Sequence, residues 1–164
     1  VREYGPLVWK TAYRLLPSEA DAADCFQETF ISAMEASCRS PVRHWAGLLQ
    51  RLAIARALDL LRRRHRQRSE GLLDRNQPDG SAASDPVARA VAVEVGEQLR
   101  DAVGQLPNRE SEVFCLRFLS ELSYQEISVQ LEMSIDAVGV ALHRARARLR
   151  ELLSGVGVVE QKQR

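Results

Sequence analysis

The sequence predicts an all-α protein of two small helical domains joined by a flexible linker, and three observations carry that prediction. Aromatic residues make up 5% of the chain against 45% hydrophobic overall, so the core is built from Leu, Val and Ala, which suit helices better than sheet. Apolar residues recur at spacings of three and four along most of the chain, the period of one helix face. Between residues 69 and 86 the pattern breaks at Gly71, Pro78, Asp79, Gly80, Ser81, Ser84, Asp85 and Pro86, a linker composition. The expected divisions are a first domain over 1–68, a linker over 69–86, a second domain over 87–154 and a frayed tail over 155–164.

The elements follow in order. Leu7, Val8, Ala12, Leu15 and Leu16 give the first helical pattern, which Pro17 ends. Ser18 caps the next, with Asp21 three residues on in the manner of a capping box, and Ala22, Phe26, Phe30 and Met34 form its apolar face. Asp24, Glu28, Ile31 and Glu35 make an acidic ridge on its other side. A third helix, from about Val42 to Arg68, has Leu48, Leu49, Leu52 and Ala55 on one face and Ile54, Leu58 and Leu61 on another, as the central helix of a small bundle does. Periodicity returns with Val87, Val91, Val95 and Leu99 until Pro107, after which Asn108 caps a helix containing Val113, Leu116 and Leu119. Ser123 caps a short helix with Ile127 and Leu131 inward. Ser134 caps a longer one, whose stripe of Val138, Leu142, Ala145, Leu149 and Leu152 runs to about Leu153.

The last two helices, joined by a three-residue turn and ending in a basic run, form a helix-turn-helix pattern that points at DNA. Arg144 and Arg148 flank the inward stripe on one side and Arg146 and Arg150 on the other, cations on both flanks for phosphates. Asp136, Val140 and His143 project away from the stripe. The run Arg62 to Arg68 holds five arginines and His65, and reads either as a nucleic-acid attachment or as a helix end whose dipole favours cations. Trp45 is a base-stacking platform or a core anchor; Arg56 and Asp59 are an internal ion pair or Arg56 is a DNA contact. Residues 1–68 carry 12 Lys and Arg against 7 Asp and Glu, whereas residues 69–112 carry 4 against 9. Attraction between these blocks would hold the free chain closed.

Cys25, Cys38 and Cys115 are widely spaced, with no CxxC and no His at ligand spacing, so neither a disulfide framework nor a metal site is expected. A reducing cytoplasm fits. His44, His65 and His143 lie far apart without a nucleophile or carboxylate constellation, which argues against an enzyme, and no cofactor is expected. No apolar run reaches membrane-span length and no signal peptide is present, so membrane insertion is not expected. The chain begins at Val1 inside a helical pattern, which suggests that a further N-terminal segment precedes it.

Taken together, these segments resemble the sigma-70 family of bacterial transcription initiation factors, specifically the extracytoplasmic-function (ECF) group that keeps only the second and fourth conserved regions. Asp21-Ala22-Ala23-Asp24-Cys25-Phe26-Gln27-Glu28-Thr29-Phe30 is similar to the family's core-binding segment, D-A-E-D-x-x-Q-E-x-F. That similarity implies that Asp21, Asp24, Gln27, Glu28 and Phe30 dock on the clamp helices of the largest subunit of core RNA polymerase. Ala57-Leu58-Asp59-Leu60-Leu61-Arg62-Arg63-Arg64 resembles the end of the second region, which implies that Arg56, Arg62, Arg63 and Arg66 face the minus ten element of promoter DNA. The same resemblance makes residues 39–44 the loop that captures an extruded base. Leu106-Pro107-Asn108-Arg109-Glu110-Ser111-Glu112-Val113-Phe114 is similar to the opening of the fourth region, L-P-x-x-x-R-x-V-F. Ser123-Tyr124-Gln125-Glu126-Ile127 and Leu142-His143-Arg144-Ala145-Arg146 resemble its helix-turn-helix, implying DNA contacts from Ser134, Ala137, His143, Arg144, Arg146 and Arg148. An anti-sigma factor is a further partner of this kind.

Three departures from the family pattern carry expectations. Glu132 stands where the turn commonly has Gly, and must bear the cost of any left-handed conformation there. The second helix usually carries V-K-S-R, but here reads Val138, Gly139, Val140 and Ala141, so both expected cations are missing and the helix gains a glycine worth roughly 1 kcal/mol against it. Ala23 replaces a common Glu. The expected function is an ECF-type sigma factor. The alternative is a sigma-like interaction protein that occupies polymerase or an anti-sigma factor without productive promoter recognition; an ordinary DNA-binding regulator fits the Asp24 to Phe30 segment less well.

Overall fold

The computed structural model describes residues 2–71 and 86–160, all of whose regular structure is helical. α1 (Gly5–Leu15), α2 (Glu19–Arg39) and α3 (Trp45–Ser69) pack on one another. α4 (Pro86–Gln105), α5 (Asn108–Phe118), α6 (Tyr124–Leu131) and α7 (Ile135–Glu160) make the second set, in which α7 touches each of the other three.

Helix boundaries follow local chemistry. Leu16 closes α1 in an extended conformation, the state that a following proline enforces. Ser18 Oγ accepts from the Asp21 N–H at 3.1 Å and donates to Asp21 Oδ2 at 2.8 Å, so the expected capping pair forms. α3 starts at Trp45, later than the expected Val42, because His44 Nδ1 accepts from the Gly47 N–H at 3.0 Å and caps it. Asn108 is the first residue of α5, with Pro107 in the cap position, so its expected capping role is not realised. At the other end, α7 runs to Glu160, past the expected stop near Leu153 and into the expected tail; Gly155 and Gly157 weaken a helix without blocking its hydrogen bonds. Ser69 ends α3 and Gly71 turns away with φ 71°. The rest of the expected linker, 72–85, lies outside the described residues, as do 161–164 of the tail.

The inward faces differ in register from those the large apolar residues suggested. α2 buries Ala22, Cys25, Thr29 and Ala33, with Phe26 and Phe30 partly covered, whereas Met34 is 67% exposed. Thr29 can sit inside because its Oγ1 donates to the Cys25 carbonyl at 2.7 Å. On α3 the first face buries Leu49, Ala53 and Ala57, with Leu52 packed partly buried against it and Leu48 and Ala55 only half-buried; the second, Ile54, Leu58 and Leu61, is as expected.

One apolar cluster runs through both halves. It joins Ala12, Leu15, Ile54, Leu58 and Leu61 to Ala102, Val103 and Leu106 of α4, then to Leu116, Ile127 and Leu142. Gly104 permits a close crossing of α3 and α4: a Cβ there would lie 3.2 Å from Leu61 Cβ, tighter than side chains normally pack. The two halves are therefore docked, with α3 between them.

Burial raises the thiols of Cys25 and Cys115, to about 11 and about 12, while Cys38 is exposed. The nucleophile is the thiolate, so a maleimide or Ellman reagent is expected to modify one thiol per folded chain, Cys38, and three after unfolding. Counting labelled thiols by mass checks this.

Candidate functional site

The α2 ridge is built by a capped helix that turns its small residues inward. Asp24, Gln27 and Glu35 are exposed, and Ile31 (51%) and Met34 stand among them, giving an acidic surface with apolar centres. Periodicity alone puts Met34 on the inward face, but the helix turns Ala33 inward there and leaves Met34 outside. Asp21 is held by Ser18 and by Arg64, whose Nη1 donates to its Oδ2 at 2.6 Å. Glu28 Oε2 lies 3.7 Å from Arg56 Nη2, so Arg56 pairs across to α2 and not with Asp59. Phe30 packs against Phe26 with the rings tilted at 58° and their centroids 5.0 Å apart, in a small cluster with Val8 and Leu49. It supports the ridge from beneath.

The basic end of α3 is divided. Arg63 and Arg66 are exposed and have no ion pair with a described residue. Arg62 bonds Asp59 at 3.3 Å and Ser111 Oγ of α5 at 2.9 Å. Arg68 pairs with Asp101 of α4. Trp45 is 39% exposed at the N-terminus of α3, beside the largely exposed residues 40–44, so it is neither a full core anchor nor a free platform.

The helix-turn-helix has the expected geometry. Ser123 and Glu126 form a reciprocal capping box: Ser123 Oγ accepts from the Glu126 N–H at 3.3 Å, and Glu126 Oε2 accepts from the Ser123 N–H and from its hydroxyl, each at 2.7 Å. Those bonds, the hydroxyl's first, lower the Glu126 pKa. Glu132 adopts φ 53°, ψ 49°, the left-handed turn anticipated for that position. Ser134 Oγ accepts from the Ala137 N–H at 3.1 Å and caps α7. Val138, Leu142, Ala145 and Leu149 are buried; so is Ala141, where the family usually carries a cation. Asp136, Val140, His143 and Arg144 are exposed and Ala137 is half-buried. Arg146 lies over the Phe118 ring, 5.1 Å from its centroid, and Arg148 Nε lies 3.1 Å from Glu110 Oε2 as an ion pair without hydrogen-bond alignment. Two of the expected DNA-contacting arginines are thus engaged within the second half.

Among the described residues no helix is long and apolar enough to cross a membrane, and no group of three or more His, Cys, Asp or Glu stands together as metal ligands.

Comparison with known proteins agrees with this layout. Residues 1–67 match the family described as Sigma-70 region 2, and residues 96–149 the family described as Sigma-70, region 4. The chain is 32% identical over 156 residues to the ECF RNA polymerase sigma factor SigE of Mycolicibacterium smegmatis, covering 94% of this chain and 60% of that protein, so it spans less than two thirds of that relative. It is 32% identical over 130 residues to the ferric citrate uptake sigma factor FecI of Escherichia coli, covering 79% of this chain and 73% of that one. The fold resembles the sigma factor RpoE of Bartonella quintana, solved with the anti-sigma factor NepR, at TM-score 0.55 and 21% identity over 93% of this chain and 95% of that one.

Two measurements test the turn and the cap. Glu132→Gly is expected to raise stability by about 1 kcal/mol, a few degrees in Tm, because glycine bears no penalty for the left-handed conformation. The lowered Glu126 pKa contributes stability that is complete above the ordinary glutamate range and is lost as pH falls through the lowered value. Thermal melts across that acidic window should show a steeper loss in the parent than in Glu126→Gln.

Proposed function

The chain belongs to the sigma-70 family, and from that premise we propose that it is an ECF-type sigma factor, directing core RNA polymerase to promoters and opening them there. The observation that carries this reading is the pairing of two unlike surfaces on adjacent helices: the acidic, partly apolar ridge of α2 and the exposed arginines of α3. One rigid unit can hold a basic protein surface and a nucleic-acid backbone together.

Asp24, Gln27, Ile31, Met34 and Glu35 meet the clamp helices of the largest polymerase subunit. Asp21 and Glu28 join them by exchanging Arg64 and Arg56 for polymerase cations. Arg63 and Arg66 contact minus ten DNA directly. Arg56 follows when Glu28 turns to polymerase, and Arg62 when α5 leaves Ser111 out of reach. Residues 39–44 receive the extruded base. The N-terminus of α7, from Ser134 and Ala137 through His143 and Arg144, enters the upstream element, and Arg146 and Arg148 reach phosphate only by leaving Phe118 and Glu110. The mechanism is binding with no covalent chemistry, in the cytoplasm, with an anti-sigma factor among the partners.

A second reading, a sigma-like chain that occupies polymerase without productive initiation, is favoured by one observation: Gly139 and the buried Ala141 supply no cation to the upstream element. Run-off transcription with purified chain and core polymerase on a genomic library separates the two. Discrete start sites, lost in Asp24→Arg/Glu28→Arg together with core binding, are expected. Arg63→Glu/Arg66→Glu should keep core binding and lower initiation at least tenfold, since two phosphate contacts become repulsive. Tight core binding without specific starts would favour the second reading.

A further inference from the structure

The outward line of α7 runs through Asp136, Val140, His143 and Ala147, at spacings of four, three and four, opposite the buried Val138, Leu142, Ala145 and Leu149. At a rise of about 1.5 Å per residue, Asp136 to His143 spans about 10 Å, roughly three base steps. Its centre is Val140, 49% exposed, an apolar side chain where a base-reading helix commonly places a hydrogen-bonding one. Beside it is Gly139, which the fold does not require: a Cβ there would meet only Tyr124 Cε2, at 3.9 Å, an ordinary contact, and no positive φ is recorded for it. A glycine that weakens its helix, with no packing reason and next to an exposed valine, fits close approach of backbone to a ligand.

The sigma-factor reading places this line in the major groove, and the present inference rests on that reading. The groove offers an apolar side chain one apolar partner, the 5-methyl group of thymine; every other base edge there presents a hydrogen-bond donor or acceptor that a valine would bury unpaired. Duplex DNA also suits the flanks. Arg144 and Arg150 are exposed and have no ion pair with a described residue, so both are available to phosphate on either side of the line. We propose that Val140 determines specificity in the upstream element by packing on a thymine methyl, with Gly139 clearing the backbone's approach. Asp136, one turn earlier, then favours a neighbouring cytosine, whose N4 amino group can donate to its carboxylate.

The test uses full-length chain with core polymerase on a promoter recovered from the genomic library, with each upstream thymine replaced singly by deoxyuridine, which lacks only the methyl. One replacement is expected to lower initiation about fourfold, the worth of one buried CH₂ group, in the parent chain. The same replacement should have no effect with Val140→Ala. Gly139→Ala provides an independent arm: it is expected to raise the melting temperature while lowering initiation from the same promoter, a combination that misfolding cannot produce. If no thymine position responds, or if Val140→Ala keeps the deoxyuridine penalty, the thymine contact is overturned. Specific starts that ignore the upstream methyls would refute this inference while leaving the sigma-factor reading intact; absence of any specific start would refute both.

Discussion

Close contact between α3 and α4 is the constraint on which the rest of the structure depends. α3 is the helix against which both halves pack, and its buried residues fall in two clusters, Leu49 and Ala53 with Val8 of α1 and Ala33 of α2, and Ile54, Ala57, Leu58 and Leu61 in the cluster that continues into α4. Gly104 lets α4 approach the backbone of Leu61, and Ala102, Val103 and Leu106 then complete the cluster. Polar contacts surround this seam. Arg68 pairs with Asp101, Gln130 Nε2 donates to the Gly47 carbonyl at 2.8 Å, and Arg14 Nη1 donates to the Leu119 carbonyl at 2.8 Å. Part-exposed pairs of this kind are worth about 0–1 kcal/mol each, so they set register while the apolar seam supplies the attraction.

Among the described residues, the opposite net charges of the first and middle blocks meet in one ion pair, Arg68 with Asp101. Of the ion pairs in the basic end of α3, Arg68 to Asp101 joins the two blocks, whereas Arg64 to Asp21 and Arg62 to Asp59 stay within the first. Salt screens such contacts at the rim but not the contact of Leu61 with Gly104.

Much of the fold was legible because periodicity and capping are local. Ser18, Ser123 and Ser134 cap where they were expected to, and Glu132 takes the left-handed turn that a helix-turn-helix needs. Register was less legible where small residues face inward: Cys25, Thr29 and Ala53 carry weak hydrophobic signal, and periodicity puts Met34 inward where Ala33 is the buried residue. Partnering was not legible at all. Arg56 has Asp59 three residues away, yet pairs with Glu28 on another helix, and nothing in one helix's sequence marks Ser111 as the partner of Arg62. The ridge residues Asp24 and Glu35 lie on the surface as expected because charge and helical spacing agree there; of the two residues drawn only from a motif, Gln27 is exposed and Phe30 lies partly beneath the ridge.

Charge counts alone thus overstate how many cations these helices could offer to a nucleic-acid backbone. Five arginines in residues 62–68 leave Arg63 and Arg66 exposed without a described ion partner, and the four arginines of residues 144–150 leave Arg144 and Arg150. Each neutralised phosphate contributes a slope of about 0.9 in the salt dependence of binding, so a module with about two such contacts binds weakly alone at physiological salt. On the proposed sigma-factor reading, two weak modules would become selective when polymerase holds both, because the second would then bind at an effective concentration set by the linkage and no longer by solution. Strong modules would let the free chain occupy promoters without polymerase. On the proposed reading, the Arg56 to Glu28 pair ties one DNA cation to a carboxylate meant for polymerase, so that one pair would both restrain DNA binding in the free chain and be released on polymerase.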